Sequence, residues 1–267
     1  MNLSDFNEEQ LHRYARHIVM PEVGGAGQIR LLNSRVLVVG AGGLGSPLLM
    51  YLAAAGVGTL GVIDDDRVDL SNLQRQIIHT TPRIGDWKTE SARSTIAAIN
   101  PGVEVRCHSE RLDHLNALTI LADYDLVCDG SDNFPTRYLV NDACHLAAKP
   151  LVSAAMMRFD GQLTTFPAGG PCYRCLFPEA PPDGLVPSCS EAGILGAIAG
   201  VMGTLQAAEA IKELLELGDR LAGTLLIYDA LAASFHRVSY ERDPGCALCG
   251  EVPGIVDLSP HDGRSRP

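Results

Sequence analysis

An α/β fold built on a mostly parallel sheet is what this chain predicts, and three observations carry the prediction. A short apolar run, Arg35-Val-Leu-Val-Val39, leads into Gly40-Ala-Gly-Gly-Leu-Gly45 and then into a helical pattern over 44–56. Strand-like and helix-like segments go on alternating to residue 155, the pattern of parallel strands covered on both faces by helices. Beyond 155 the stretches at 161–166, 224–228 and 234–239 read as strands with no helix between the last two, which predicts a mixed or antiparallel C-terminal extension.

Taken in order, residues 7–19 read as an amphipathic helix with Leu11, Tyr14, Ala15 and Ile18 on one face, ending before Pro21 and Gly24-Gly25. The strand at 35–39, the glycine loop, the helix at 44–56 and a strand at 59–63 make a Rossmann-like βαβ unit. Helices are expected at 87–99, 114–122 and 134–148, and strands at 103–107, 125–129 and 150–155. Residues 192–211 are apolar enough to suggest a membrane span. Gln206 and Glu209 interrupt the stretch, however, and Gly196, Gly200 and Gly203 offer a flat face, so a buried helix is expected instead. No linker or charge block divides the 267 residues, which predicts one domain.

A hydrophobic content of 46% is ample for a packed core, and a net charge of −11 argues against a nucleic-acid footprint. The N-terminus is acidic and has neither a basic nor an apolar signal region. With further cysteines at 107, 128, 144 and 189, the expected location is the cytoplasm.

A Gly-x-Gly-x-x-Gly pattern alone is weak. Here it follows a strand, opens a helix, and is answered 19 residues after Gly45 by Asp64 at the end of the next strand. Gly40 permits the turn, Gly42 and Gly43 let phosphate oxygens approach backbone N–H groups, and Asp64 can accept from ribose hydroxyls. The segment from Asp64 to Gln76, with Asn72 and Arg75, is followed by Lys88 and by Asp129-Gly-Ser-Asp-Asn-Phe-Pro-Thr-Arg137. A dinucleotide has little use for these cations and a second carboxylate, whereas a triphosphate needs cations on its oxygens and a carboxylate for Mg²⁺.

Two Cys-x-x-Cys pairs, Cys172/Cys175 and Cys246/Cys249, stand 70 residues apart. Four thiolates close a tetrahedral zinc shell and leave no open position, so the expected metal is structural and staples the C-terminal segment to a mid-chain loop.

These motifs closely resemble the MoeB/ThiF/HesA group of activating enzymes, bacterial relatives of ubiquitin E1. The resemblance runs through RYARHIVM at 13–20, VGAGGLGSP at 39–47, SNLQRQ at 71–76, GDWK at 85–88, DGSDNFPTR at 129–137, the two cysteine pairs, CSEAGILG at 189–196 and GVMGTLQAAEAIK at 200–212. It implies adenylation, by ATP and Mg²⁺, of the C-terminal Gly-Gly carboxylate of a small ubiquitin-like sulfur carrier of the molybdopterin or thiamine branch. It implies nucleotide contacts from Gly40, Gly42, Gly43, Gly45, Asp64, Asp66, Ser71, Asn72, Leu73, Gln74, Arg75, Lys88, Asp132 and Asn133. Asp132 would carry Mg²⁺, and Arg16 would reach the triphosphate from the neighbouring subunit of a homodimer. It divides the chain into a helical arm (1–34), a nucleotide-binding core (35–155), a carrier-binding and zinc part (156–256) and a mobile tail (257–267).

Cys189 precedes an apolar helix whose dipole favours a thiolate, and both a nucleophile and an inert buried thiol fit its sequence. The chain ends before a C-terminal rhodanese-like domain would fit, so sulfur is expected from a separate desulfurase or rhodanese. Other readings are a carrier-independent relative that modifies tRNA or peptides, and a non-catalytic binding scaffold. The acidic balance opposes the tRNA version, and a complete triphosphate site opposes the scaffold.

Overall fold

The computed structural model describes residues 6–182, 185 and 193–262. The expected first helix is two: α1 (Glu8–Arg13) and α2 (Ala15–Ile18), broken at Tyr14 with φ −102° and ψ 12°. The break buries the Tyr14 ring against Gly56, and its hydroxyl accepts from Asn100 Nδ2 at 2.9 Å. A helix the sequence did not predict, α3 (Gly24–Asn33), follows. Glycines at its start give it poor intrinsic propensity. Tertiary bonds override this: Gln28 is fully buried, pairs with His17 Nδ1 at 2.8 Å and donates to the Ala55 carbonyl at 2.9 Å.

The βαβ unit is β1 (Arg35–Val39), α4 (Gly45–Ala55) and β2 (Thr59–Ile63). Then come α5 (Lys88–Ile99), β3 (Glu104–His108), α6 (Ala117–Ala122), β4 (Leu126–Asp129), α7 (Phe134–Leu146), β5 (Leu151–Met157) and β6 (Asp160–Phe166). The chain continues through α8 (Tyr173–Leu176), α9 (Gly196–Leu215), β7 (Thr224–Asp229) and β8 (Ser234–Ser239). α6 starts later than expected because Asp113 Oδ1 accepts from the N–H groups of Leu115 and Asn116 at 2.8 and 3.1 Å, a turn that competes with the helix.

Among the described residues, the eight strands lie in one sheet of order β3-β2-β1-β4-β5-β6-β7-β8. The pairs from β3 to β5 are parallel and those from β5 to β8 antiparallel. This is the predicted division, with the change of direction at β5–β6. Alternate residues of the central strands feed two cores. Val36, Val38, Leu60 and Val62 pack with Leu48 and Leu52 of α4 and Met202 of α9, while Leu37, Val39, Ile63 and Val127 pack with Leu121 of α6 and Leu139 of α7.

α9 is the expected buried helix, and no described helix is long and apolar enough to cross a membrane. A Cβ on Gly196 would clash with the Gln74 carbonyl and one on Gly203 with the Leu44 carbonyl. A Cβ on Gly200 would meet nothing within 4 Å among the described residues, so close packing of the backbone is seen at two of the three glycines. Gln206, which seemed to interrupt the apolar stretch, donates from Nε2 to the Asp129 and Val152 carbonyls at 2.8 and 3.0 Å, satisfying groups where β4 and β5 end their pairing.

The segment expected to be a mobile tail packs on the domain as far as residue 262. Leu258 is buried in the core beneath α7, and His261 Nε2 lies 2.8 Å from the fully buried carboxylate of Asp142. Apolar burial and a buried polar partner hold this segment down.

Candidate active site

Strand order reverses between β1 and β4, where an open α/β sheet leaves a crevice at the strands' C-terminal ends. Gly40 and Gly130 leave these two strands side by side: a Cβ on Gly40, whose φ is +90°, would sit 3.2 Å from the Gly130 carbonyl oxygen. Above them lies a cleft of about 310 Å³. From the expected set it brings together Gly40, Gly42, Gly43, Asp64, Asp66, Arg75, Lys88, Asp132 and Asn133.

Its charges are arranged in two ways. Lys88, buried at the first turn of α5, places Nζ 2.7 Å from Asp66 Oδ2 and 3.9 Å from Asp64 Oδ1. Asp64 Oδ2 accepts from the Ala41 N–H at 2.8 Å and Oδ1 from the Asp66 N–H at 2.9 Å. Burial pushes the Asp64 carboxyl above its ordinary value, against the pull of Lys88 and of these two N–H groups. Asp132, by contrast, is exposed at the cleft and has no hydrogen bond or ion pair among the described residues. Asn133 has two positions to fill: it lines the cleft, and its Oδ1 caps α7 by accepting from Thr136 N at 2.9 Å.

Other expected residues lie elsewhere. Gly45 is packing: a Cβ there would collide with the Gly40 carbonyl. Ser71, Asn72, Leu73 and Gln74 stand outside the cleft lining, in a turn held by Asp69 Oδ1, which accepts from Ser71 N and Oγ at 2.8 and 2.6 Å. That turn presents Arg75, whose Nη1 donates to the Ser71 carbonyl at 3.0 Å. Arg16 is exposed on α2 and does not line the cleft of its own chain. Cys189 lies outside the described residues.

The structure adds residues that sequence reasoning left unassigned. Glu110, Arg111 and Leu112 line the cleft just beyond β3, a position that the strand-end rule for such sheets flags. Arg137 is buried and donates from Nη2 to the Ser131 carbonyl at 2.6 Å. Gln76 Oε1 and Ser131 Oγ are buried cleft-side atoms with no partner among the described residues. His79, in no recognised motif, bonds the glycine loop itself, with Nε2 2.9 Å from the Ala41 carbonyl oxygen and Nδ1 2.9 Å from Ser91 Oγ.

Far from the cleft, Cys172, Cys175, Cys246 and Cys249 bring their sulfurs within 4.8 Å of one another. Neighbouring Sγ atoms are 4.0 Å (172–175), 3.6 Å (172–246) and 3.3 Å (175–249) apart. Tetrahedral thiolates bound at ~2.3 Å to one ion would be separated by ~3.8 Å, so the set can hold a metal. Burial and the adjacent sulfurs push Cys172 far up and Cys249 to about 11. Against its own burial, Cys246 is held down by the N–H groups of Cys249 and Leu248. Asp142 braces this cluster: Arg174, between the two cysteines of the first pair, donates to it from Nε and Nη2 at 2.8 and 2.7 Å.

The ThiF family model matches residues 14–248, a span that contains the cleft and three of the four clustered cysteines, Cys172, Cys175 and Cys246. The chain belongs to the ThiF family. Among its relatives is the sulfur carrier protein adenylyltransferase of Thermus thermophilus, 53% identical over 259 residues, covering 95% of this chain and 96% of the relative. Another is the SAMP-activating enzyme E1 of Haloferax volcanii, 53% identical over 251 residues and covering 93% of each chain. Among solved structures, E. coli MccB with ATP superposes with a TM-score of 0.78 at 22% identity, covering 89% of this ThiF-family chain and 74% of MccB. That likeness concerns the fold.

Proposed function

We propose that this protein adenylates the C-terminal carboxylate of a small ubiquitin-like sulfur carrier ending in Gly-Gly, using ATP and releasing pyrophosphate. The observation that carries the proposal is the cleft at the strand reversal, where a glycine loop at a helix N-terminus faces Arg75, Lys88 and Asp132, which has no partner among the described residues. The names of the two relatives at 53% identity support the substrate class.

In this reading the carrier carboxylate attacks the α-phosphorus, an acyl–phosphate bond forms, and the bond to the pyrophosphate oxygen breaks. No general base is needed, because the nucleophile is already ionised near neutral pH. Positioning and charge neutralisation then account for most of the rate. The glycine-loop N–H groups and the cations Arg75 and Lys88 hold the triphosphate, and Lys88 must give up part of its bond to Asp66 to do so. Asp64 orients the ribose with the lone pairs its two backbone bonds leave free. Asp132 fits Mg²⁺, being a hard oxygen donor without a competing partner among the described residues, and the ion would supply charge neutralisation on the phosphates. The four cysteines fit Zn²⁺ as a closed, structural site.

Arg16, outside its own chain's cleft, would act from the partner subunit of a homodimer. In this reading sulfur comes from a separate donor, a desulfurase or rhodanese. Cys189 would act, if at all, after adenylation.

ATP–pyrophosphate exchange tests the core of the reading. It should appear only with a Gly-Gly-ending carrier and vanish when those two residues are deleted. Exchange indifferent to the deletion would move the protein to the carrier-independent readings. Cys189→Ala should leave exchange intact, and mixing Arg16→Ala with Asp132→Ala chains should restore part of it if the sites are shared between subunits.

A further inference from the structure

Both backbone polar groups of Ala41, the fully buried residue inside the glycine loop, are held by side chains. Its N–H is held by Asp64 Oδ2 at 2.8 Å, and its carbonyl lies 2.9 Å from His79 Nε2. His79 and Ser91 are themselves buried, and His79 Nδ1 lies 2.9 Å from Ser91 Oγ, one turn of α5 beyond Lys88. A carbonyl can only accept, so Nε2 carries the ring proton and Nδ1 accepts from the Ser91 hydroxyl. Burial pushes the ring's protonation below its ordinary range, which keeps this neutral tautomer.

A trans peptide is planar, with its C=O and N–H directed oppositely. The Ala41 carbonyl and the Gly42 N–H belong to one such unit. Drawing the carbonyl inward onto His79 therefore aims the Gly42 N–H outward. Gly42 lines the cleft and Ala41 does not, and among the described residues the Gly42 N–H has no acceptor. Glycine at 42 and 43 makes the alternative orientation sterically accessible, so the loop's own sequence does not choose between them.

We propose that His79 is a positioning residue of the nucleotide site: it locks the Ala41–Gly42 peptide so that the Gly42 N–H faces the cleft and holds a phosphate oxygen. Ser91 fixes its tautomer and ties the loop to the helix that carries Lys88. This inference rests on the nucleotide reading above, and it concerns a residue that neither touches the ligand nor stands in the glycine motif.

The test is ATP affinity, measured by titration calorimetry beside thermal unfolding. His79→Gln keeps an N–H donor at the position of Nε2, His79→Asn is too short to reach Ala41, and His79→Leu keeps bulk alone. A bond between an N–H and a charged phosphate predicts that His79→Leu weakens ATP by about tenfold, while His79→Gln stays within about threefold of wild type. In ¹⁵N spectra the Gly42 amide should shift on ATP addition in wild type and His79→Gln, and much less in His79→Leu. A folded His79→Leu with wild-type affinity would overturn the proposal. Should His79→Leu not fold, Gln against Asn decides, and equal affinities for the two overturn it as well. A wild type that binds no ATP removes the nucleotide reading and this inference with it, an outcome distinct from wild-type binding unaffected by the variants.

Discussion

Asp132 and Asp142 flank and occupy the same helix, yet their surroundings are opposite. Asp132, before α7, is exposed at the cleft and unpartnered among the described residues. The Asp142 side chain, within α7, is fully buried and receives Arg174, His261 and Asn141 at 2.7 to 3.0 Å. A carboxylate left without partners at a strand-end cleft is available to a cation that arrives with substrate. One that is saturated with donors has no capacity left for chemistry, and serves to join α7, the first cysteine pair and the C-terminal segment. Partner count, more than residue type, separates the site from the scaffold.

The sharpest way to break this contrast is Asp132→Ala. Loss of the carboxylate that would hold the charge-neutralising Mg²⁺ should lower pyrophosphate exchange by about 100-fold or more, with the unfolding midpoint nearly unchanged. A variant that loses stability in proportion to activity would show that Asp132 is scaffold too.

Asp142→Ala should do the reverse. Leaving the half-buried Arg174 guanidinium without its fully buried partner costs about 3 kcal/mol, read by urea unfolding, while exchange per folded molecule holds. Burial pushes the Asp142 carboxyl up, but the bonds from His261 and Arg174 outweigh it and hold the pKa below 3.8. The stability it contributes is therefore complete above about pH 4 and is lost as pH falls through the depressed value. Wild type should lose stability in that acid range more steeply than Asp142→Asn.

Metal analysis of the purified chain should return about one zinc, and its removal should lower the unfolding temperature before it lowers ATP affinity. Disulfides found in its place under reducing conditions would contradict the structural-metal reading. The smallest effect is expected at the tail, where Leu258→Ala should cost about 2 kcal/mol without altering ATP binding. No loss there would return residues 257–262 to the status of a free end.

Much of the site was legible because it is local. The glycine loop, Asp64 and the strand–loop–helix context announce themselves within thirty residues, and the antiparallel extension showed as a change of period after 155. What was not legible has no local signal. α3 forms despite its glycines because Gln28 finds His17 and Ala55; the tail is anchored because His261 meets Asp142; a side chain at Gly200 would meet none of the described residues, although one at Gly196 or Gly203 would collide with backbone.

By itself the sequence determined the parallel core, the position of the glycine loop and the four clustered thiols, since each follows from periodicity or from ligand spacing along short stretches of chain. Only the tertiary structure decided which charges are spent on one another and which face the cleft. It alone also placed His79 beneath the loop, because Ala41, His79 and Ser91 are brought to bonding distance by the packing of α5 on α4 and on the sheet, a relation that residue order does not encode in any readable spacing.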